Sequence, residues 1–161
     1  MLSNKSILFN ALLILMIVNS CTGKKDVQEK VRKYPNGATS RKQLEINGTI
    51  EGLMTDYFIN GQIKQERLFE NGLQNGKSIN YFESGGIEEI QYYNKGLRIM
   101  GDTVFYPSGK IHFTSWFENN KKNGPFKRYS ETGELEFEAI YEMDSIKSVK
   151  NYLAEKDNKL Q

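Results

Sequence analysis

The chain holds one cysteine, one histidine, one tryptophan and three prolines in 161 residues. A lone cysteine, Cys21, excludes an intrachain disulfide framework and any cysteine-based zinc cluster. His112 stands alone as an imidazole, so neither a multi-histidine metal site nor a Cys-His nucleophile pair can be assembled. Charge of one sign is also missing: 22 Lys and Arg face 20 Asp and Glu, for a net +2. These charges are interspersed without a sustained basic block, which argues against a nucleic-acid partner. No glycine-rich phosphate loop leads into a helix, because the glycines here precede strand-like segments. No cofactor is implied, and the chain is read as a non-enzyme.

Long apolar runs are scarce as well. The one present, Ile7 to Val18, has twelve residues interrupted only by Asn10. Spanning a bilayer takes about 20 residues, so this run suits the core of a signal peptide. It ends in Val18-Asn19-Ser20-Cys21, which resembles the bacterial lipobox, whose cysteine receives a diacylglycerol before cleavage. The resemblance implies removal of residues 1–20, acylation of Cys21, and a lipid-anchored place in the bacterial cell envelope. Each buried methylene contributes roughly 0.8 kcal/mol, so two or three acyl chains hold a protein on a membrane almost irreversibly. The polar stretch from Cys21 through residue 32 reads as a tether lifting the rest off the membrane.

What the chain does have is glycine, 14 residues, and aromatic residues, 12% with nine Tyr and nine Phe. Glycine recurs at Gly37, Gly61, Gly85, Gly109 and Gly133, always 24 residues apart. Eleven residues after each stands Gly48, Gly72, Gly96, Asn120 or Asp144, all types that tolerate positive φ. A third column holds Gly52, Gly76 and Gly124, with Gly101 one place out of step. Repeated Asn-Gly pairs, such as Asn47-Gly48 and Asn71-Gly72, are strong short-range hairpin signals. The expected fold is all-β: five 24-residue hairpins over residues 33–152 in an elongated antiparallel sheet, followed by a polar tail at 153–161.

Side-chain columns assign faces, because residues of equal parity on a strand point the same way. Tyr57, Tyr81, Phe105 and Tyr129 close one strand of each unit. Ile63 with Phe69, Ile87 with Tyr93, and Ile111 with Phe117 mark one face of the next strand, and Leu68, Tyr92, Trp116 and Ile140 the other. Stacked in register, these columns are expected to form ladders that neighbouring hairpins bury for one another. Lys64, Glu88, His112 and Glu136 form a polar column on the Trp116 face. Its members lie about 10 Å apart, too far to share a metal or a proton.

The segment Tyr57-Phe58-Ile59-Asn60-Gly61-Gln62-Ile63-Lys64, continuing to Asn71-Gly72 and Asn75-Gly76, resembles the MORN-repeat variant family. The pattern returns from Tyr81 to Gly96 and from Tyr106 to Gly124. This resemblance implies a twisted sheet of successive hairpins and a membrane-associated or protein-binding scaffold; some bacterial relatives carry an antitoxin label. The expected role is therefore interaction or scaffolding with an envelope protein, with Tyr92, Tyr93, Trp116 and Phe117 as the candidate binding surface. A glycan partner, through Tyr92 and Trp116, and a toxin-neutralising role are the alternatives.

Overall fold

The structure, a computed structural model, describes residues 24–153. The signal segment, Cys21 with its acylation, and the tail after Leu153 lie outside the described residues. Within them the chain is almost entirely strand: β1 (Val27–Lys33), β2 (Thr39–Ile46), β3 (Thr49–Tyr57), β4 (Ile63–Glu70), β5 (Leu73–Tyr81), β6 (Ile87–Asn94), β7 (Leu97–Phe105), β8 (Ile111–Glu118), β9 (Lys121–Lys122), β10 (Gly124–Tyr129), β11 (Leu135–Glu142) and β12 (Ser145–Asn151). All pair antiparallel in chain order within one open sheet, and the short β9 pairs only with β8. Eleven strands in one ladder, about 4.8 Å apart, extend it roughly 50 Å.

The 24-residue period is the length of an eight-residue strand, a two-residue turn, a nine-residue strand and a five-residue turn. The two-residue turns are Asn47-Gly48, Asn71-Gly72, Lys95-Gly96, Asn119-Asn120 and Met143-Asp144, each with both residues at positive φ, from 47° to 81°. That is the type I′ geometry, whose twist matches the strands it joins. Each five-residue turn repeats two bonds. In the second copy, Phe58 N–H donates to the Gln62 carbonyl at 2.8 Å and Gly61 N–H to the Phe58 carbonyl at 3.0 Å. Gly61 stands there at φ +88°, a conformation that the absent Cβ permits.

Successive hairpins are stapled along both long edges. Beside the two-residue turns, Gly72 N–H reaches the Ile50 carbonyl, Gly96 the Gln74 carbonyl, Asn120 the Arg98 carbonyl and Asp144 the Lys122 carbonyl. On the five-residue side, the Tyr34 hydroxyl donates to the Tyr57 carbonyl at 2.7 Å and the Tyr106 hydroxyl to the Tyr129 carbonyl at 2.8 Å.

Burial is confined almost to one face. Among the described residues, Met54, Phe117 and Ala139 are the buried apolar ones, and Gln43, Ser78, Asp102 and Ser115 are buried beside them; of these residues only Thr55 is buried on the opposite face. Strand register places these groups in one row, with Met54 opposite Arg67, Ser78 opposite Gln91, Asp102 opposite Ser115, and Phe126 opposite Ala139. A single-layer sheet has no second layer to cover it, so this core consists of side chains that lean over one another.

Two sequence expectations need correction. The polar stretch before residue 33 is not all tether, because Val27–Lys33 forms β1 and pairs along β2. Its charges mark it as an edge strand, where Lys and Arg discourage further pairing. The ladder of Leu68, Tyr92, Trp116 and Ile140 is not buried between hairpins: Leu68 is 40% and Trp116 46% exposed. Gly101, the glycine one place out of step, is not the left-handed residue of its repeat. Met100 takes the place held by Gly52, Gly76 and Gly124, at φ +62°.

Candidate functional site

The four aromatic residues expected to form one surface divide between the faces. Tyr92 and Trp116 lie on the open face; Tyr93 and Phe117, one residue further on, lie on the covered one. Alternation along a strand requires this separation. Phe117 is 8% exposed, and the Arg98 guanidinium lies 4.0 Å from its ring centre. The Tyr93 hydroxyl donates to Gln91 Oε1 at 2.9 Å, and burial pushes its pKa up. Phe117 is buried and Tyr93 partly so, on the face opposite Tyr92 and Trp116, so the four residues do not form one surface.

Around Phe117 the covered face carries an ion network absent from the sequence reading. Arg98 Nη2 lies 2.7 Å from Asp102 Oδ2 and 3.0 Å from Glu89 Oε1, and the Ser115 hydroxyl donates to Asp102 at 3.1 Å. One guanidinium thus serves two carboxylates. Burial raises the Asp102 pKa, and the negative charge of Glu89 adds to that rise, while Arg98 opposes it. A second cluster repeats the idea with the signs reversed: Asp56 receives both Arg41 and Arg67. The signal available in the sequence was a charge at Asp102 where the same column holds Met54, Ser78 and Phe126 in other repeats.

The polar column of Lys64, Glu88, His112 and Glu136 is dispersed against turn aromatics and neighbouring charges. The Lys64 amine sits 5.8 Å from the Phe58 ring centre, His112 stacks at 4.3 Å on Tyr106, and Glu136 lies 3.3 Å from Arg128 Nε. Among the described residues no three His, Cys, Asp or Glu side chains group as metal ligands. On the same face the Tyr81 hydroxyl donates to Glu66 at 2.7 Å, and burial, followed by Glu66, pushes its pKa up to about 12.

Trp116 occupies a different setting. Its ring lies over Gly101 of β7, with ring carbons 3.6 and 3.7 Å from where a Cβ of that residue would stand. On its other side, a Cβ on Gly124 would come within 3.1 Å of Trp116 Cβ and 3.4 Å of Cγ. The indole is flanked by two glycines and remains half exposed.

Two further apolar rows follow the turns. Beside the five-residue turns, Ile59 is 57%, Ile63 37%, Ile87 38% and Ile111 41% exposed; beside the two-residue turns, Leu73 and Leu97 are 49% and 41% exposed. An open depression of about 440 Å³ continues the isoleucine row, lined by Gly109, Lys110, Ile111, Tyr129 and Gly133.

The MORN repeat variant family model matches residues 50–71 and 122–143. The two matches stand three periods apart, and each runs from β3 or its equivalent through a five-residue turn into the next strand. No curated protein matches the chain. Among solved structures, a crystal structure of accessory secretory protein 1, 2 and 3 in Streptococcus pneumoniae aligns with 70% of this chain at 13% identity and a TM-score of 0.28. The chain spans about a fifth of that one, 19% of its length.

Proposed function

We propose that this chain of MORN-variant repeats is a non-enzymatic interaction module, held at the bacterial cell envelope by acylation of Cys21, whose repeats dock an envelope protein. The observation that carries the reading is the row of half-exposed Ile63, Ile87 and Ile111 along the five-residue turns. Identical turns place them one repeat apart, about 10 Å, so a long partner element lying along the turns meets all three. A regular row of exposed apolar side chains suits a long partner element, whereas the depressions in the sheet are open, unlike small-molecule sites.

The test is in-cell crosslinking of the protein, compared with a Cys21→Ala form and with a triple Ile63→Ser, Ile87→Ser, Ile111→Ser form, read by mass spectrometry. One envelope protein captured by the native form and lost from both variants, with circular dichroism of the triple variant unchanged, is the expected result. Capture that persists in the triple variant would refute the docking row; capture independent of Cys21 would refute the anchoring.

A further inference from the structure

The bulge rule of this fold asks for glycine at positions 52, 76, 100 and 124, and three of the four comply. In the third repeat the pair is inverted: Met100 accepts the left-handed conformation at φ +62°, and the glycine stands one place later at Gly101. The other repeats hold Leu53, Lys77 and Pro125 at that later place. A glycine at 100 and a side chain at 101 would relieve the backbone, yet the chain keeps the strained order. Strained backbone concentrates where a function over-rides local preference.

The inverted pair frees space beneath Trp116. A bare Cβ at position 101 would already touch the ring, so a longer side chain there, as in the other repeats, competes with the indole for the same space. With Gly101 on one side and Gly124 on the other, the indole reclines on the sheet instead of standing from it, and it is 46% exposed. Among the described residues no ring or cation packs on it, and its Nε1–H has no acceptor. An exposed π face matches the C–H face of a sugar ring, and an indole N–H that no protein group takes can donate to a hydroxyl at that ring's rim.

We infer that Trp116 is the floor of a glycan-binding site that receives the C–H face of a pyranose ring. Tyr92 stands in the same column one repeat earlier, about 10 Å away. A linear oligosaccharide running across the strands meets Tyr92 and Trp116 at a separation spanned by a disaccharide. Thr103 and Thr114, cross-strand partners on this face, and the Lys127–Glu138 pair at 3.4 Å supply hydroxyl and charged groups around the shelf. Ile99, the cross-strand partner of Tyr92, and the exposed Ile140 lie on the same face, so these polar groups rim an apolar floor. This site is separate from the isoleucine row, and either assignment can fail alone.

Trp116 is the chain's only tryptophan, so its fluorescence reports on this shelf without background. The purified full-length protein is titrated with cellohexaose, chitohexaose and xylohexaose, alongside a double variant, Met100→Gly with Gly101→Leu, that restores the repeat's own order. Saturable quenching or a spectral shift with at least one hexasaccharide is expected, together with an at least tenfold weaker response in the double variant, whose thermal unfolding stays cooperative. Calorimetry on Trp116→Ala is expected to show the same loss. Absence of a saturable response to all three sugars, or equal affinity in the double variant, overturns the site. A response to a proline-rich peptide but to no sugar overturns it as well.

Discussion

Met100 and Asp102 are two of the residues at which the third repeat departs from its neighbours, and each leads to a measurable consequence. An L-residue in the left-handed region costs roughly 1–2 kcal/mol, part of which is recovered by the lower chain entropy of a non-glycine. Met100 is 48% exposed, so little packing is lost on its removal. Met100→Gly is therefore expected to raise stability by about 0.5–1 kcal/mol, measured by urea denaturation. Asp102 works through protons. Burial lifts its pKa above 3.8, so the folded state holds this proton in a pH window where the unfolded chain has released it. Within that window stability falls as pH rises, from 3.8 through the raised folded value. Asp102→Asn removes this contribution, and the difference in unfolding free energy between wild type and variant is expected to shift steadily across the window, then level off toward neutrality. A constant difference across the same titration would show that burial does not shift Asp102. Neither residue was singled out from the sequence, because Met100 matters through the Gly101–Trp116 pair beside it and Asp102 through Ser115 across the strand and Arg98 along its own, and register converts a column into a contact only once the bulge is placed.

At the scale of the hairpin, turn chemistry was legible because it is local. Two consecutive positive φ angles exclude most residue types, so Gly48, Gly72 and Gly96, followed by Asn120 and Asp144, advertised the turns directly. Where glycine gives way to Asn or Asp, the side chain adds a bond to the preceding hairpin: Asn120 Oδ1 accepts from Arg98 N–H at 2.6 Å, and Asp144 Oδ1 from Lys122 N–H at 2.8 Å. Asp144→Gly thus trades one hydrogen bond for an unstrained backbone and is expected to change stability by less than about 0.5 kcal/mol. Asp144→Leu loses the bond and keeps the strain, at an expected cost of roughly 2 kcal/mol. Thermal unfolding of the two variants side by side tests the pairing. β1 was missed for the converse reason. Its sequence Val-Gln-Glu-Lys-Val-Arg-Lys carries the charges of an edge, so its strand character comes from pairing with β2 and not from its own apolar content. The separation of Tyr92 from Tyr93 was legible, since adjacent strand residues cannot share a face; that the Tyr92 face would stay open was not, because it depends on how the side chains of the opposite face cover themselves.

For the molecule as a whole, each hairpin touches only its neighbours, and stability becomes a sum of repeat and interface contributions with no central core to lose. The 24-residue unit is then removable, provided the cut preserves phase. Deleting residues 87–110 takes out β6, β7 and two turns and brings β5 against β8, with Ser78 facing Ser115 and Asn80 facing Phe113. No like charges meet along that new seam on the covered face, and the Asp102 network and the Met100 strain leave together. The shortened chain is expected to fold, with a denaturant m-value lower by about a fifth, since m follows the surface exposed on unfolding and one repeat of five is gone. Removing only twelve residues, 87–98, deletes one strand and joins a five-residue turn to a strand that needs a two-residue one. The strands after the cut still alternate in direction, but Thr103 then takes the place of Gln91 opposite Ser78 and Asp102 turns to the open face, so no cooperative transition is expected. If the half-period deletion folded as well as the full-period one, the facing of the side chains and the turn type would not be what makes these repeats a single sheet.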